Sequence, residues 1–373
     1  MMMNNRLDEY LVAKADLTQT PITGNFELSP LCNMKCKMCY VRKSAKEVQS
    51  QGGLKSAKQW LKLAKEARDS GMLFLLLTGG EVFLYKEFKY LYEELSKMGF
   101  VLTINTNATL INEENIKWLA KNPPRCINVT LYGSSNDTYG NLCKCKYGFD
   151  KVSKAIDLLL KYKLNVKINS TIIHDNSEDF KKIYEFANER GLPMEVPSYI
   201  FPPTRKDLLK IGENERFTPF EAANFKIMKS HINLSEKEVY EDLCKYKSKL
   251  DNKDRNKKIN RNMRCRAGKS SFWVTWDGKM TPCGMMNYPY SRPFEDGFEK
   301  SWEKIKLDTK NIKLSKKCCI CEKKEVCMVC AASAVTETGD FQGTPSYLCE
   351  MMDFEIQQVK NLYEELKNKY EDS

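Results

Sequence analysis

Cys32, Cys36 and Cys39 stand as C-x3-C-x2-C in the stretch Leu28 to Tyr40. Thiolates are soft ligands, suited to zinc and above all to iron-sulfur clusters, and three so close together can hold three corners of one cube. No fourth ligand stands nearby in the chain. A closed structural site normally takes four protein ligands, so an open metal position is the arrangement that binding a further ligand requires. The spacing by itself also fits a zinc knuckle short of one ligand, or three unrelated thiols.

A second set lies towards the C-terminus, where Cys265 and Cys283 precede Cys318-x2-Cys321-x5-Cys327-x2-Cys330 and then Cys349. Fifteen cysteines in a chain without a secretory signal read as metal ligands, since disulfides are rare where thiols stay reduced. The run Cys318 to Cys330 taken alone suits a zinc ribbon as well as a cluster. His174 and His231 are the two histidines, both far in sequence from the cysteine groups. They read as loop or surface residues, which disfavours mixed Cys/His zinc sites and a histidine general base.

Polar residues that could serve a ligand stand at the ends of apolar runs. Thr78-Gly79-Gly80-Glu81 follows the run MLFLLL; its glycines permit close backbone approach, and its carboxylate can neutralise an ammonium group. Asn105, Asn107 and Thr130 close two further runs, and Lys144 stands between Cys143 and Cys145.

The elements that must position these residues alternate regularly. Strands are expected at 25–29, 72–77, 100–105, 126–131, 165–172 and 193–199, and helices at 56–70, 87–98, 113–120, 150–162 and 177–189. Six strands alternating with helices imply a parallel sheet, which at this size curls into a partial barrel with its ligands at the C-terminal strand ends. The run MLFLLL reads as a strand buried on both faces. Helices are expected again at 219–230 and 237–250, a hairpin around Asp277-Gly278, and an amphipathic helix docking on the core over 354–370.

Taken together, C-x3-C-x2-C, G-G-E one helix and one strand later, and the rear cysteines resemble the radical S-adenosylmethionine (SAM) enzymes that carry a C-terminal SPASM extension. The resemblance implies an α/β fold, a partial (β/α)6 TIM-like barrel followed by a Cys-rich domain. The divisions expected are an N-terminal extension (1–24), the barrel (25–205), a helical, basic linker (206–262), the SPASM domain (263–350) and a C-terminal helix (351–373). It implies a SAM-binding 4Fe-4S cluster on Cys32, Cys36 and Cys39. Two auxiliary 4Fe-4S clusters would sit on Cys265, Cys283 and Cys330, and on Cys318, Cys321, Cys327 and Cys349. SAM would meet Gly79, Gly80, Glu81, Asn105, Asn107 and Thr130. Relatives often hold the SAM carboxylate with an arginine before the fourth helix; this chain has Lys144 there, a point charge in place of a fork. A ligand that some relatives place between the first two rear cysteines stands here as Ser270 or Ser271.

By the same resemblance, the reduced cluster cleaves SAM, and the 5'-deoxyadenosyl radical takes a hydrogen from a peptide substrate. The modification expected is a thioether or carbon-carbon crosslink in a ribosomal precursor peptide, with a flavodoxin or ferredoxin as electron donor. The alternatives are a protein substrate, as in sulfatase maturation, or a small molecule. Sulfatase-maturing relatives have Asp after the cysteine equivalent to Cys283, where Gly284 stands here. No winged-helix-like peptide-recognition domain, such as some relatives carry, is expected before Asn25.

The bulk properties set limits. The chain has 373 residues, 42% of them hydrophobic, a formal net charge of +11 and mean hydropathy −0.53. No apolar run would span a bilayer and the N-terminus lacks a signal-peptide layout, so a cytoplasmic protein without membrane partner is expected. Much of the basic excess falls between Lys245 and Lys269, without the aromatic interleaving of single-strand platforms. That disfavours a zinc-ribbon nucleic-acid-binding protein, and leaves a solvated linker that could attract an acidic leader.

Overall fold

The computed structural model describes residues 6–203, 215–251 and 260–370. Its described residues fall into two units, the first within Met1–Pro197, Pro203–Glu215 and Cys265–Lys310, the second within Ser198–Pro202, Arg216–Arg264 and Asn311–Ser373.

The first unit is a sheet wrapped by helices. Strands β1 (Thr23–Glu27), β2 (Phe74–Thr78), β3 (Val101–Thr106), β4 (Cys126–Thr130), β5 (Val166–Asn169) and β6 (Met194–Glu195) pair in sequence order, all parallel. Helices connect them. Ala57–Asp69 starts at a reciprocal cap between Ser56 and Gln59 and buries Trp60, Leu63, Ala64 and Ala67. Its Trp60 ring lies 4.9 Å from that of Phe26 on β1, and burying one such large apolar side chain is worth roughly 1.5–3 kcal/mol. Phe88–Lys97, Glu113–Lys121, Gly148–Lys161 and Phe180–Glu189 likewise bury apolar side chains, and Glu113–Lys121 also starts at a reciprocal cap, between Asn112 and Asn115.

Along the strands, residues facing the helices are buried: Phe26, Leu75, Leu77, Ile104, Ile127, Val129 and Ile168. Their neighbours on the opposite, inner face are half-buried and mostly polar: Asn25, Thr103, Asn105, Asn128, Thr130, Lys167 and Asn169. The run MLFLLL follows this rule too. Leu75 and Leu77 are sealed while Phe74 and Leu76 are only half-buried, so the strand is closed on one face and less so on the other.

Two strands join beyond the six expected. The hairpin around Asp277-Gly278 forms as β7 (Ser271–Val274) and β8 (Met280–Thr281), and β7 pairs in parallel with β1, extending the sheet to eight strands. Stretches at the head of the expected cysteine-rich domain thus share the barrel's hydrogen bonding. The helix Arg6–Thr18 also falls outside the expected elements. Leu7, Tyr10 and Leu17 on it are exposed and Ala15 alone is fully buried, so its apolar residues trace no stripe towards the core.

The second unit is helical. Pro219–His231, capped reciprocally by Thr218 and Glu221, and Glu236–Asp251 both pack on the long helix Ser346–Tyr370. The last helix begins eight residues before the expected start at 354, taking in Cys349, and buries Val359, Tyr363 and Leu366 against Leu243. At the other end of that helix Tyr199, Ala222, Ala223, Leu348 and Met351 form a second cluster. Glu337 accepts from Arg216 at 2.7 Å and from the Tyr199 hydroxyl at 2.6 Å, an enclosed pair that holds the segment after β6 to the helix Ala331–Thr338. The segments 206–214 and 252–259 of the expected basic linker lie outside the described residues. Among those described, no helix is long and apolar enough to cross a membrane.

Candidate active site at the strand ends

The cysteine loop leaves the C-terminal end of β1. Its shape is set by main-chain bonds to two neighbours. On one side the Lys35 and Lys37 N–H groups donate to the Cys143 and Leu142 carbonyls at 2.8 and 3.1 Å. These are carbonyls at the end of helix Asn136–Cys143 that have no acceptor role within the helix, so the loop caps the helix while the helix shapes the loop. On the other side the Gly80 and Glu81 N–H groups donate to the Ser29 and Leu31 carbonyls at 2.6 and 2.9 Å. The glycines make this approach possible: a Cβ at Gly80 would strike the Leu31 carbonyl, and one at Gly79, whose φ is +153°, the Ser29 carbonyl. The backbone they admit closely is therefore that of the cysteine loop.

Two sulfurs accept main-chain N–H groups, Cys32 from Met34 at 3.4 Å and Cys39 from Arg42 at 3.3 Å. The Asn107 amide lies 3.6 Å from the Cys32 sulfur. Burial pushes the Cys32 thiol up to about 12, against the Met34 N–H, with Glu81, Cys36 and Cys39 adding to the rise. A thiol so placed ionises readily only beside a compensating cation, which a metal site supplies. Three neighbouring thiols, two of them with N–H groups aimed at their sulfurs, fit an iron-sulfur cluster with one open position.

Glu81 does not project into open space. It is 1% exposed. Its carboxylate accepts from the Thr106 hydroxyl at 2.7 Å, the Asn107 N–H at 2.7 Å and the Phe83 N–H at 3.2 Å. Burial raises its pKa and these three donors oppose the rise. Glu81 thereby ties the end of β2 to the end of β3. Asn107 continues the chain of contacts, donating to the Asn33 side chain at 3.0 Å, which in turn donates to Thr109 at 2.8 Å. Thr106 and Asn33 were not anticipated; both flank anticipated residues, and the β2–β3 register decides that they meet Glu81 and Asn107.

The other expected SAM contacts are distributed. Asn105 accepts from Asn128 at 2.7 Å on the inner face of the sheet, one position below Thr106. Thr130 is half-buried at the end of β4, in register with Asn169. Lys144 is exposed and left-handed (φ +54°), ending helix Asn136–Cys143. Tyr132, just past β4, is pushed well above the usual tyrosine range by burial and by the facing thiols of Cys36, Cys143 and Cys39. It is a neighbour of the loop that sequence spacing does not reveal. His174 is exposed, and His231 faces Asp242 at 3.2 Å, so neither joins this group.

The rear cysteines divide between the units. In the second, burial raises Cys327, helped by Cys318, Cys321 and Cys349, and burial raises Cys349, helped by Cys318 and Cys321. These four thiols therefore face one another. Cys330 caps helix Ala331–Thr338, its sulfur accepting the Ser333 N–H at 3.4 Å. In the first unit, Cys265 is exposed and Cys283 accepts the Met285 N–H at 3.5 Å. Ser270 is fully buried and bonded to Asp16 and Arg266, which commits it to the fold, and Ser271 opens β7. Among the described residues, no group of three or more His, Cys, Asp or Glu side chains is drawn around a single-ion position.

Residues 26–187 match the family model of the radical SAM superfamily. Over 335 residues the chain is 24% identical to the AdoMet-dependent heme synthase of Methanosarcina barkeri (strain Fusaro / DSM 804), covering 87% of this chain and 95% of that one. Over 317 residues it is 23% identical to the sporulation killing factor maturation protein SkfB of Bacillus subtilis (strain 168), covering 83% and 71%. Its fold resembles that of Streptococcus suis SuiB bound to precursor peptide SuiA, with a TM-score of 0.65 at 17% identity over 93% of this chain and 82% of the other.

Proposed function

This chain is a radical SAM enzyme with a cysteine-rich C-terminal region, and on that footing we propose that it abstracts a hydrogen atom from a peptide or protein segment laid against the inner face of its sheet. The observation that carries this reading is the chemistry of that face. Asn25, Asn105, Asn128 and Asn169 line it with side-chain amides, and Lys167 pairs there with Glu195. Amide side chains offer a donor and an acceptor each, the complement of a peptide's own backbone groups. The similarity to a killing factor maturation protein and the likeness to a structure holding a precursor peptide support the same substrate class.

When bound at Cys32, Cys36 and Cys39, a reduced 4Fe-4S cluster supplies the electron that splits SAM into methionine and the 5'-deoxyadenosyl radical. The protein's part is positional. The Met34 and Arg42 N–H groups and the Asn107 amide stabilise sulfur charge. Gly79 and Gly80 press the loop against β2, and Glu81 fixes β3 beside it. Asn105 and Thr130 stand at the adjoining strand ends, where SAM and substrate meet. Cys318, Cys321, Cys327 and Cys349 hold an auxiliary cluster, and a flavodoxin or ferredoxin delivers the electron. The product we favour is a thioether or carbon-carbon crosslink within the peptide.

A second reading, a porphyrin-type small molecule, is favoured by one observation, the match over nearly the full length of a heme synthase. One experiment separates the two. Reconstituted enzyme with SAM and dithionite is offered a candidate precursor peptide or an iron porphyrin, and 5'-deoxyadenosine and substrate mass are followed. The peptide reading predicts a peptide lighter by two hydrogens. Turnover with the porphyrin and none with peptides overturns it.

A further inference from the structure

Two stretches of this chain carry cations and no carboxylate. Residues 28–46 hold Lys35, Lys37, Arg42, Lys43 and Lys46, residues 138–149 hold Lys144 and Lys146, and neither contains Asp or Glu. The fold brings the two together. The Lys35 and Lys37 N–H groups donate to the Cys143 and Leu142 carbonyls, so the residues on either side of Cys36 lie against the end of helix Asn136–Cys143, from which Lys144 and Lys146 continue. Cys143 also faces Tyr132 together with Cys36 and Cys39, which puts the second stretch beside the cysteines themselves.

The cationic side chains are turned outward. Lys35, Lys37, Lys144 and Lys146 are all exposed. Lys37 pairs with Asp175, while Lys35, Lys144 and Lys146 have no carboxylate partner among the described residues. Tyr147 follows them, 54% exposed, with the Lys146 ammonium 5.4 Å from the centre of its ring. Unpaired like charges gathered at one place raise the local potential, and an exposed ring beside them offers apolar area to a partner. A single ligand carboxylate needs one cation, whereas several exposed ones match an anionic surface. A single-strand platform would need interleaved rings, and Tyr147 is the one exposed aromatic residue of the two stretches.

Resting on the radical SAM reading, we propose that Lys35, Lys37, Lys144 and Lys146, with Tyr147, form the docking surface for the electron donor, a small acidic carrier protein of the flavodoxin or ferredoxin type. Each cleavage of SAM consumes one electron, and an outside reductant must supply it. The donor's reduced centre loses that electron and the cluster gains it, with no bond made or broken in either protein. The surface flanks Cys36, so a donor held there meets its acceptor across the cysteine loop. Charge steers and orients the donor, and the exposed pairs it forms are weak enough to release it after transfer.

The test separates a protein donor from a small one. Anaerobically reconstituted full-length protein is given SAM and either photoreduced flavodoxin below saturation or excess dithionite, and the initial rate of 5'-deoxyadenosine release is followed at low and high salt. The variant is Lys35→Glu/Lys146→Glu; the main-chain bond of Lys35 survives the change of side chain. The control is Lys300→Glu/Lys304→Glu, the same change of charge on helix Phe298–Asn311, whose Trp302 is tied to the Gln19 carbonyl ahead of β1. The variant is expected to lower the flavodoxin-driven rate at least about tenfold and to flatten its fall with salt, as loss of steering does. Its dithionite-driven rate and iron content should match wild type, and the control should match wild type with both reductants. An unchanged flavodoxin-driven rate, an equal loss with dithionite, or an equal loss in the control overturns the proposal. A loss confined to peptide modification also overturns it, and assigns the surface to an acidic peptide. If the variant loses iron, Lys146→Glu/Tyr147→Ala, outside the cysteine loop, decides by the same comparison. Wild type active with dithionite but with neither flavodoxin nor a reduced acidic ferredoxin overturns this proposal alone, and wild type inactive with dithionite overturns the radical SAM reading with it.

Discussion

Glu81 accepts the main-chain N–H of Asn107 at 2.7 Å, and the Asn107 side chain in turn lies 3.6 Å from the Cys32 sulfur. A carboxylate at the end of β2 therefore sets the position of a group that touches the Cys32 sulfur. Its first task is structural, and it stands before any contact with SAM. Glu81→Ala leaves the Asn107 N–H, the Phe83 N–H and the Thr106 hydroxyl without an acceptor in a buried place. Each buried donor so stranded costs about 1–3 kcal/mol. The variant without cluster or SAM should lose at least about 2 kcal/mol in urea unfolding. Stability equal to wild type before reconstitution would show that Glu81 serves the ligand alone.

The hairpin β7–β8 offers a test by pH. Asp277 is partly buried, which raises its pKa, but the Thr275 hydroxyl and the Lys279 ammonium at 2.9 Å outweigh burial, and the net shift is below the ordinary 3.8. A depressed carboxylate contributes stability that is fully present above the ordinary value and is lost as pH falls through the lowered one. Wild type should exceed Asp277→Asn by about 0.5–1.5 kcal/mol at neutral pH, and the margin should close below 3.8. Urea midpoints for both proteins from neutral pH down to about pH 3 check this. A margin independent of pH would place the Asn defect elsewhere than in the charge.

What could be read in the chain, and what could not, separates along physical lines. The three front cysteines, G-G-E and the alternation of strands and helices are local patterns, and all were legible. The parallel pairing of β7 with β1 joins residues some 247 positions apart, as Asn25 and Phe272 show by their shared hydrogen bond, and nothing local announces it. The inward turn of Glu81 depends on the register Leu77 to Ile104, which brings Thr106 and Asn107 within reach. The glycines were rightly read as sites of close approach, but what approaches is the cysteine loop. The facing of Cys327 with Cys318, Cys321 and Cys349 lies between these cases: three of the four are close in sequence, while Cys349 arrives on a helix that starts earlier than its apolar stripe implies.

That last group bears the third prediction. Cys318, Cys321, Cys327 and Cys349 present four half-buried thiols to one another within the second unit, and their proximity adds to the cost of ionising Cys327 and Cys349. Four mutually repelling thiolates are stable only around positive charge, so loading and folding should be coupled in this unit. Cys327→Ser removes one ligand from the set while leaving the front loop in the first unit untouched. After anaerobic reconstitution the variant should lose about four irons and the matching sulfide, the content of one cube, and still release 5'-deoxyadenosine from SAM with dithionite. Dialysis against chelator should lower its melting temperature less than it lowers that of wild type, since less of its stability depends on the metal. Unchanged iron with one equivalent of zinc lost would instead identify a zinc ribbon, the alternative that the spacing from Cys318 to Cys330 left open.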